Sequence, residues 1–287
     1  MKKSSLLITL LTLLPLAGCG QNDNSKTIYT SFYPVYDFTK RIVGDKFEVK
    51  NLTPVGTEPH DYEPKASEVA GMTSSKALFL NGLGLEHWKD ELPSDLTKKS
   101  YVITKDIETL SIDNVTDPHV WLSPKNAIKE MSNILATLKE IDVDNYKYYE
   151  DNYNKAVEDF NALDAEFKTT IDGLSNKYLV VSHAAFGYLC HEYGLTQIYV
   201  RGLTPDDEPT SKELEEIINQ VNTYNVNTIF YEELVSPEIS KKIADETGVK
   251  TETLNPLEGL EQEDLDAGED YLSIMRDNLA KIKEANK

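Results

Sequence analysis

Apolar residues recur at steps of three or four through residues 144–174: Tyr149, Tyr153, Val157, Phe160, Leu163, Phe167, Ile171 and Leu174. Acidic residues, Asn and Lys fill the positions between them, which gives one apolar stripe on an α-helix. No proline interrupts the stretch. Asp144 is placed to cap its start, and Gly173 sits where a helix usually stops. At 1.5 Å per residue the rod is roughly 45 Å long, more than the width of a small domain. The chain on either side splits into stretches of similar size, so the helix is expected to join two lobes. The plain alternative is one long surface helix of a single domain. The heptad is too loose for a coiled coil.

On both flanks the rhythm changes to short apolar runs alternating with helical spacing. Before the long helix, residues 26–30, 47–52, 77–80 and 101–104 read as strands, with helices over 36–43, 66–73 and 125–141. Residues 53–64, TPVGTEPHDYEP, form a loop dense in proline, glycine and polar side chains. After the helix, residues 178–182 (YLVVS) are nearly all apolar, as in a parallel strand buried on both faces. Further strands are expected over 196–200, 227–231 and 249–254. Helices are expected over 186–193, 212–224 and 238–246, and mostly over 263–285. Strand–helix alternation in both halves predicts an α/β fold of two parallel-sheet lobes joined by one long rigid helix. The expected division is 27–143, 144–174 and 175–287.

Composition narrows the choice of partners. The 287 residues include 40% hydrophobic and 27% charged side chains, a globular balance. With 49 acidic against 29 basic residues the formal net charge is −20, which argues against nucleic acid. An acidic surface suits small cations, or serves only to keep the chain in solution. The N-terminus adds more. Lys2 and Lys3 precede an apolar run over 6–14 and the sequence Leu16-Ala17-Gly18-Cys19. A basic start, a short apolar core and small residues before a cut site describe a secretory signal over 1–18. The run is too short for a stable membrane anchor. Leu-Ala-Gly-Cys resembles a bacterial lipoprotein box, which makes Cys19 the lipidated first residue and 19–26 a tether holding the protein at the extracytoplasmic face of the membrane. Cys190 is then the only thiol left, and its neighbours Tyr188 and Leu189 mark it as a buried small hydrophobe.

Five histidines carry the candidate chemistry. His60 lies in Glu58-Pro59-His60-Asp61, His119 in Asp117-Pro118-His119-Val120-Trp121, and His183 directly follows the apolar strand. Glu258 sits in the matching place after the last strand, in Asn255-Pro256-Leu257-Glu258-Gly259. Open α/β sheets place ligand groups at such loop–strand junctions. Imidazoles with one carboxylate suit a divalent transition metal, whereas calcium or magnesium would call for oxygens. The four positions are separated by 59, 64 and 75 residues, far from any local metal motif. Pattern alone therefore leaves two readings open: a shared metal site, or separate core and capping histidines with a solvated Glu258. His87, beside Trp88, reads as structural or surface-exposed, and His191 as facing solvent or a carboxylate. Glu232 and Glu233, at the end of a strand, are placed to orient a ligand imidazole. Asp61, Tyr62 and Glu63 are weaker candidates for the same task.

Several stretches together resemble one family. They are Pro59-His60-Asp61-Tyr62-Glu63-Pro64, Pro118-His119-Val120-Trp121-Leu122, Val180-Val181-Ser182-His183-Ala184-Ala185-Phe186-Gly187-Tyr188, Thr204-Pro205-Asp206-Asp207-Glu208-Pro209 and Asn255-Pro256-Leu257-Glu258-Gly259. Their order and spread over the mature chain are similar to the metal-binding lipoproteins of bacterial ABC importers, the zinc and manganese solute-binding proteins also described as adhesin lipoproteins. The resemblance implies a monomer with the metal in the cleft between two lobes, held by His60, His119, His183 and Glu258. It also implies a permease and its ATPase as partners. No G-x-x-x-x-G-K-[ST] loop occurs in this chain, so ATP hydrolysis falls to a partner. A histidine at position 183 resembles the zinc-preferring members, while manganese members typically carry a carboxylate there, so Zn²⁺ is expected and Mn²⁺ is the alternative. Residues 106–117 are acidic without histidine, unlike the His-rich loop of many zinc members. Two other readings remain in play: a zinc hydrolase with Glu258 as general base, and an adhesin for host matrix protein.

Overall fold

The computed structural model describes residues 24–287; the expected signal segment and the lipidation site Cys19 lie outside the described residues. The chain runs β1 (Thr27–Thr30), α1 (Tyr33–Val43), β2 (Glu48–Asn51), α2 (Ala66–Ser74), β3 (Ala77–Leu80), α3 (Ser94–Thr97) and β4 (Ser100–Val102). A small hairpin follows, β5 (Ser111–Ile112) and β6 (Val115–Thr116), then α4 (Pro124–Ile141) and the long α5 (Tyr146–Asp172). The second half is β7 (Tyr178–His183), α6 (Gly187–Tyr193), β8 (Thr196–Arg201), α7 (Ser211–Thr223) and β9 (Thr228–Tyr231). It closes with α8 (Glu238–Thr247), β10 (Lys250–Thr253), α9 (Gln262–Ala267) and α10 (Tyr271–Ala285).

The two large sheets are wholly parallel, in the orders β2-β1-β3-β4 and β10-β9-β7-β8. Numbered within its own half, each reads second-first-third-fourth, so one topology occurs twice. In such sheets the chain leaves the first and third strands in opposite directions, opening a crevice beyond their carboxyl ends. In the second half those strands are β7 and β9, whose ends carry His183 and Glu232.

Helix α5 covers 27 residues, about 40 Å. Its stripe buries Tyr149, Ala156, Phe160, Leu163, Phe167 and Ile171, with Tyr153 and Val157 half-buried beside it. Phe160 meets Phe38 of α1 edge-on at 5.8 Å and stacks on Tyr271 of α10 at 4.9 Å. Phe167 stacks on Tyr193 of α6 at 5.2 Å. One apolar cluster thus runs from the first half through α5 into the second. Cys190 is buried and unbridged within it.

Several boundaries differ from the sequence expectation. A 3₁₀ turn, Val143–Asn145, precedes α5, and Asp144 makes no capping bond. Asp142 does the local bonding instead, accepting from Asn145 Nδ2 at 2.9 Å and from the Tyr149 hydroxyl. Helix α1 begins at Tyr33, three residues early, because Pro34 fits a first helical turn where no N–H is needed. The closing helix is two helices. Gly268 ends α9 with φ +80°, and Asp270 caps α10 by accepting from Ser273 N at 3.0 Å. The polar stretch before His119 holds the β5–β6 hairpin, turned by Asp113 and Asn114 at φ +51° and +66°, as a two-residue type I′ turn requires. No helix among the described residues is long and apolar enough to cross a membrane.

Helix α4 starts five residues after His119, so its cap bears on the site. Ser123 Oγ accepts from Asn126 N at 3.4 Å, and Pro124 occupies the first turn. The bond is long, so Ser123→Ala should cost about 0.5–1 kcal/mol in a denaturant titration.

Candidate metal centre

Four side chains from distant parts of the chain meet between the lobes. His60 comes from the loop after β2, His119 from the segment between β6 and α4, His183 from the last position of β7, and Glu258 from the loop after β10. One ligand atom from each lies within 4.8 Å of all the others. Glu258 Oε1 is 3.1 Å from His60 Nε2, 2.9 Å from His119 Nε2 and 3.4 Å from His183 Nε2. His119 Nε2 is 3.2 Å from His60 Nε2 and 3.3 Å from His183 Nε2. A tetrahedral zinc ion with bonds of about 2.0–2.1 Å requires donor–donor edges of about 3.3–3.4 Å. The spacing and the set of three nitrogens with one oxygen therefore fit such an ion. His119, His183 and Glu258 are buried, and only 9% of the His60 side chain is exposed.

Two acids fix which nitrogen each buried imidazole offers. Asp117 Oδ1 accepts from His119 Nδ1 at 2.7 Å and also from the His119 backbone N at 2.9 Å. Glu232 Oε1 accepts from His183 Nδ1 at 2.7 Å and from the Ser182 hydroxyl. With Nδ1–H engaged, the Nε2 lone pair of each ring faces the centre. Glu232 is thus where its strand position predicted. Asp117 was not singled out as an orienting group, although an acid two residues before a histidine, across a proline, is a readable signal. The same acid–Pro–His triplet recurs at Glu58-Pro59-His60, where Glu58 Oε1 accepts from the His60 backbone N at 3.2 Å. Asp117→Ala should lower metal affinity about 10–100-fold in a chelator-competition titration, because the ring loses its orientation.

Glu258 is aimed by a constrained loop. Leu257, fully buried, has φ +61°, a conformation that costs a non-glycine residue about 1–2 kcal/mol. Asn255 Oδ1 accepts from Leu257 N at 2.7 Å, Asn278 Oδ1 accepts from Asn255 N at 3.0 Å, and Trp121 Nε1 donates to Pro256 O at 2.7 Å. Trp121 ties the two lobes' ligand segments together, and its ring lies 5.2 Å from that of His119.

In the metal-free centre the charges stabilise one another. Burial opposes charge on His119, but the hydrogen bonds it donates to Asp117 and Glu258 outweigh it and raise the imidazole above its usual range. Burial likewise opposes charge on His183, yet the Glu232 and Glu258 charges hold it well above. Burial pushes Glu258 up, while the His183 charge and bonds from all three imidazoles pull it well below the usual carboxyl range. Burial, then the Glu258 charge, pushes Glu58 up to about 9.

The remaining candidates lie elsewhere. His87 is exposed and pairs with exposed Glu63 at 3.4 Å. His191 and Asp61 are exposed. Tyr62 is buried and donates to Glu68 at 3.0 Å. Glu233 accepts from Asn255 Nδ2 at 3.2 Å and so steadies the Glu258 loop instead of an imidazole.

Two lobes on one long helix, with a buried imidazole–carboxylate cluster between them, define a solute-binding protein with a place for a small cation. The comparisons name the family. The model for "Zinc-uptake complex component A periplasmic" matches residues 28–285. The high-affinity zinc uptake system protein ZnuA of Bacillus subtilis is 34% identical, covering 99% of this chain and 98% of its own. The zinc-binding lipoprotein AdcA of Streptococcus pneumoniae is 36% identical over 99% of this chain, which spans 61% of AdcA. Among solved structures, the Zn(II)-bound ZnuA-like domain of that AdcA has a TM-score of 0.81 at 38% identity, covering 91% of this chain and 99% of its own. The laminin-binding protein Lmb of Streptococcus agalactiae has a TM-score of 0.86 at 30% identity, covering 91% and 100%. The chain belongs to the zinc-uptake complex component A family.

Proposed function

We propose that this protein captures Zn²⁺ outside the cytoplasm through His60, His119, His183 and Glu258 and passes it to a membrane permease driven by a separate ATPase. The observation that carries this reading is the position of Glu258 Oε1, 2.9–3.4 Å from all three Nε2 atoms. That is the place of a fourth ligand. A closed four-coordinate shell suits holding, whereas hydrolysis needs a position left for water. Three imidazoles with a single carboxylate favour zinc over manganese. Transport components among the relatives support the same choice over catalysis. In this reading Cys19 carries the lipid that keeps the protein at the membrane, and residues 27–143 and 175–287 are the lobes that 144–174 connects.

Titrating the metal-free protein with Zn²⁺ and, separately, Mn²⁺ against chelators of known affinity tests it. One tightly bound equivalent of Zn²⁺, with Mn²⁺ weaker by orders of magnitude, is expected. Equal affinity for the two metals, or a water in the place of Glu258 in the zinc-bound shell, would overturn the reading.

A further inference from the structure

Beside the four donors lies a second, smaller hollow. Its volume is about 10 Å³, room for a single water-sized sphere. Glu58, Glu232, Glu233 and Glu258 line it, and none of the described residues lining it is basic. Two of these acids are only half used. Glu232 is 3% exposed; its Oε1 serves His183 and Ser182, while its Oε2 is buried with no hydrogen-bond partner. Glu58 holds the His60 backbone through Oε1, and its Oε2 is likewise buried without a partner. Buried carboxylate oxygens are normally satisfied, so two of them lining one ion-sized hollow require an explanation. Asp117 makes the contrast. Its shorter side chain spends one oxygen on both nitrogens of His119, whereas the longer Glu58 reaches past His60 into the hollow.

We propose that Glu58, Glu232 and Glu258 form a carboxylate stepping site through which Zn²⁺ passes to and from the imidazoles. The proposal rests on the four-donor reading above. A closed tetrahedral ion exchanges slowly unless an incoming donor replaces a departing one, and zinc accepts a fifth ligand on the way. Glu258 belongs to both sets, so the ion keeps one ligand throughout while imidazole nitrogens are traded for the free oxygens of Glu58 and Glu232. The way outward is at hand, because Glu258 and Gly259 also line a crevice of about 260 Å³ that reaches exposed Val55.

Stopped-flow measurement of Zn²⁺ binding, followed by Trp121 fluorescence, and of Zn²⁺ loss into excess EDTA tests the proposal. In Glu58→Gln both rates should fall about tenfold, since an amide, unlike a carboxyl, has no proton to give up and cannot offer the arriving ion a negative oxygen at contact distance. Glu232→Gln, whose amide oxygen still accepts from His183, should slow both rates in the same way. Exposed Glu63→Gln should leave both within about twofold. If Glu58 merely attracts the bound ion, its loss slows binding but speeds release, and that outcome overturns the stepping site. Unchanged rates in Glu58→Gln and Glu232→Gln, or equal slowing in Glu63→Gln, also overturn it while leaving the four-donor reading intact. Failure of the unaltered chain to take up Zn²⁺ would overturn both.

Discussion

His119→Ala is expected to weaken Zn²⁺ binding about a hundredfold to a thousandfold, while His87→Ala leaves it within about twofold. Four donors share a binding free energy of about 10–16 kcal/mol at a structural zinc site, so one ligand is worth roughly 2.5–4 kcal/mol. His119 lies at the middle of the cluster, touching Glu258 and both other imidazoles. Its removal also leaves buried Asp117 without a ring to hold. His87 points away from the cluster to Glu63. Competition against a chelating dye measures both variants, and equal effects would show that the assignment of donors is wrong.

Acid should strip the metal steeply. An imidazole binds metal only when neutral, and His119 and His183 are both held above the usual value near 6.5 in the metal-free protein. Proton competition therefore begins above 6.5, and below it two protons must leave for each ion bound. Affinity should fall about a hundredfold per pH unit there. The fold does not fail with the site. Raised imidazoles stabilise the metal-free fold below their unfolded value near 6.5, and that stability is lost as pH rises through their folded values. Glu258 is depressed, so its contribution is present above about 4.5 and is lost only as pH falls through its lower folded value. Between about 4.5 and 6.5 the empty centre is held by both. Zinc titrations at stepped pH, with a melting curve at each, check the two statements together; a flat affinity would count against a three-histidine site.

Most of the architecture was legible because buried parallel strands and an amphipathic helix leave strong periodic traces. The run from Tyr178 to Ser182 and the stripe from Tyr149 to Ile171 are the plainest of these. Less legible were features set by single backbone conformations. Gly268 divides the last helical pattern although the apolar spacing continues on either side, and Asp113-Asn114 turns a hairpin too short to show alternation. The donors stood at strand ends, but their convergence depends on contacts 59 to 198 residues apart, which no local pattern records. Glu232 was readable from its strand end, and Asp117 and Glu58 from the acid–Pro–His triplet they share. That the first bonds a ring and the second turns an oxygen inward follows from side-chain length and burial.

The stacking of Phe160 and Phe167 on side chains of different halves bears on how the molecule melts. Each half has a smaller apolar cluster of its own, around Leu78 in the first and Val221 in the second, but the largest cluster runs through α5 and is shared with α1, α6 and α10, so loss of either half opens it. Heating should therefore give one calorimetric transition whose van't Hoff and calorimetric enthalpies agree, in place of two. An ion bound in the cleft then stabilises the entire chain by mass action, by about 2.7 kcal/mol at a hundred times its Kd. Zinc occupancy is thereby written into the thermal midpoint of every element at once, including helices that never approach the metal.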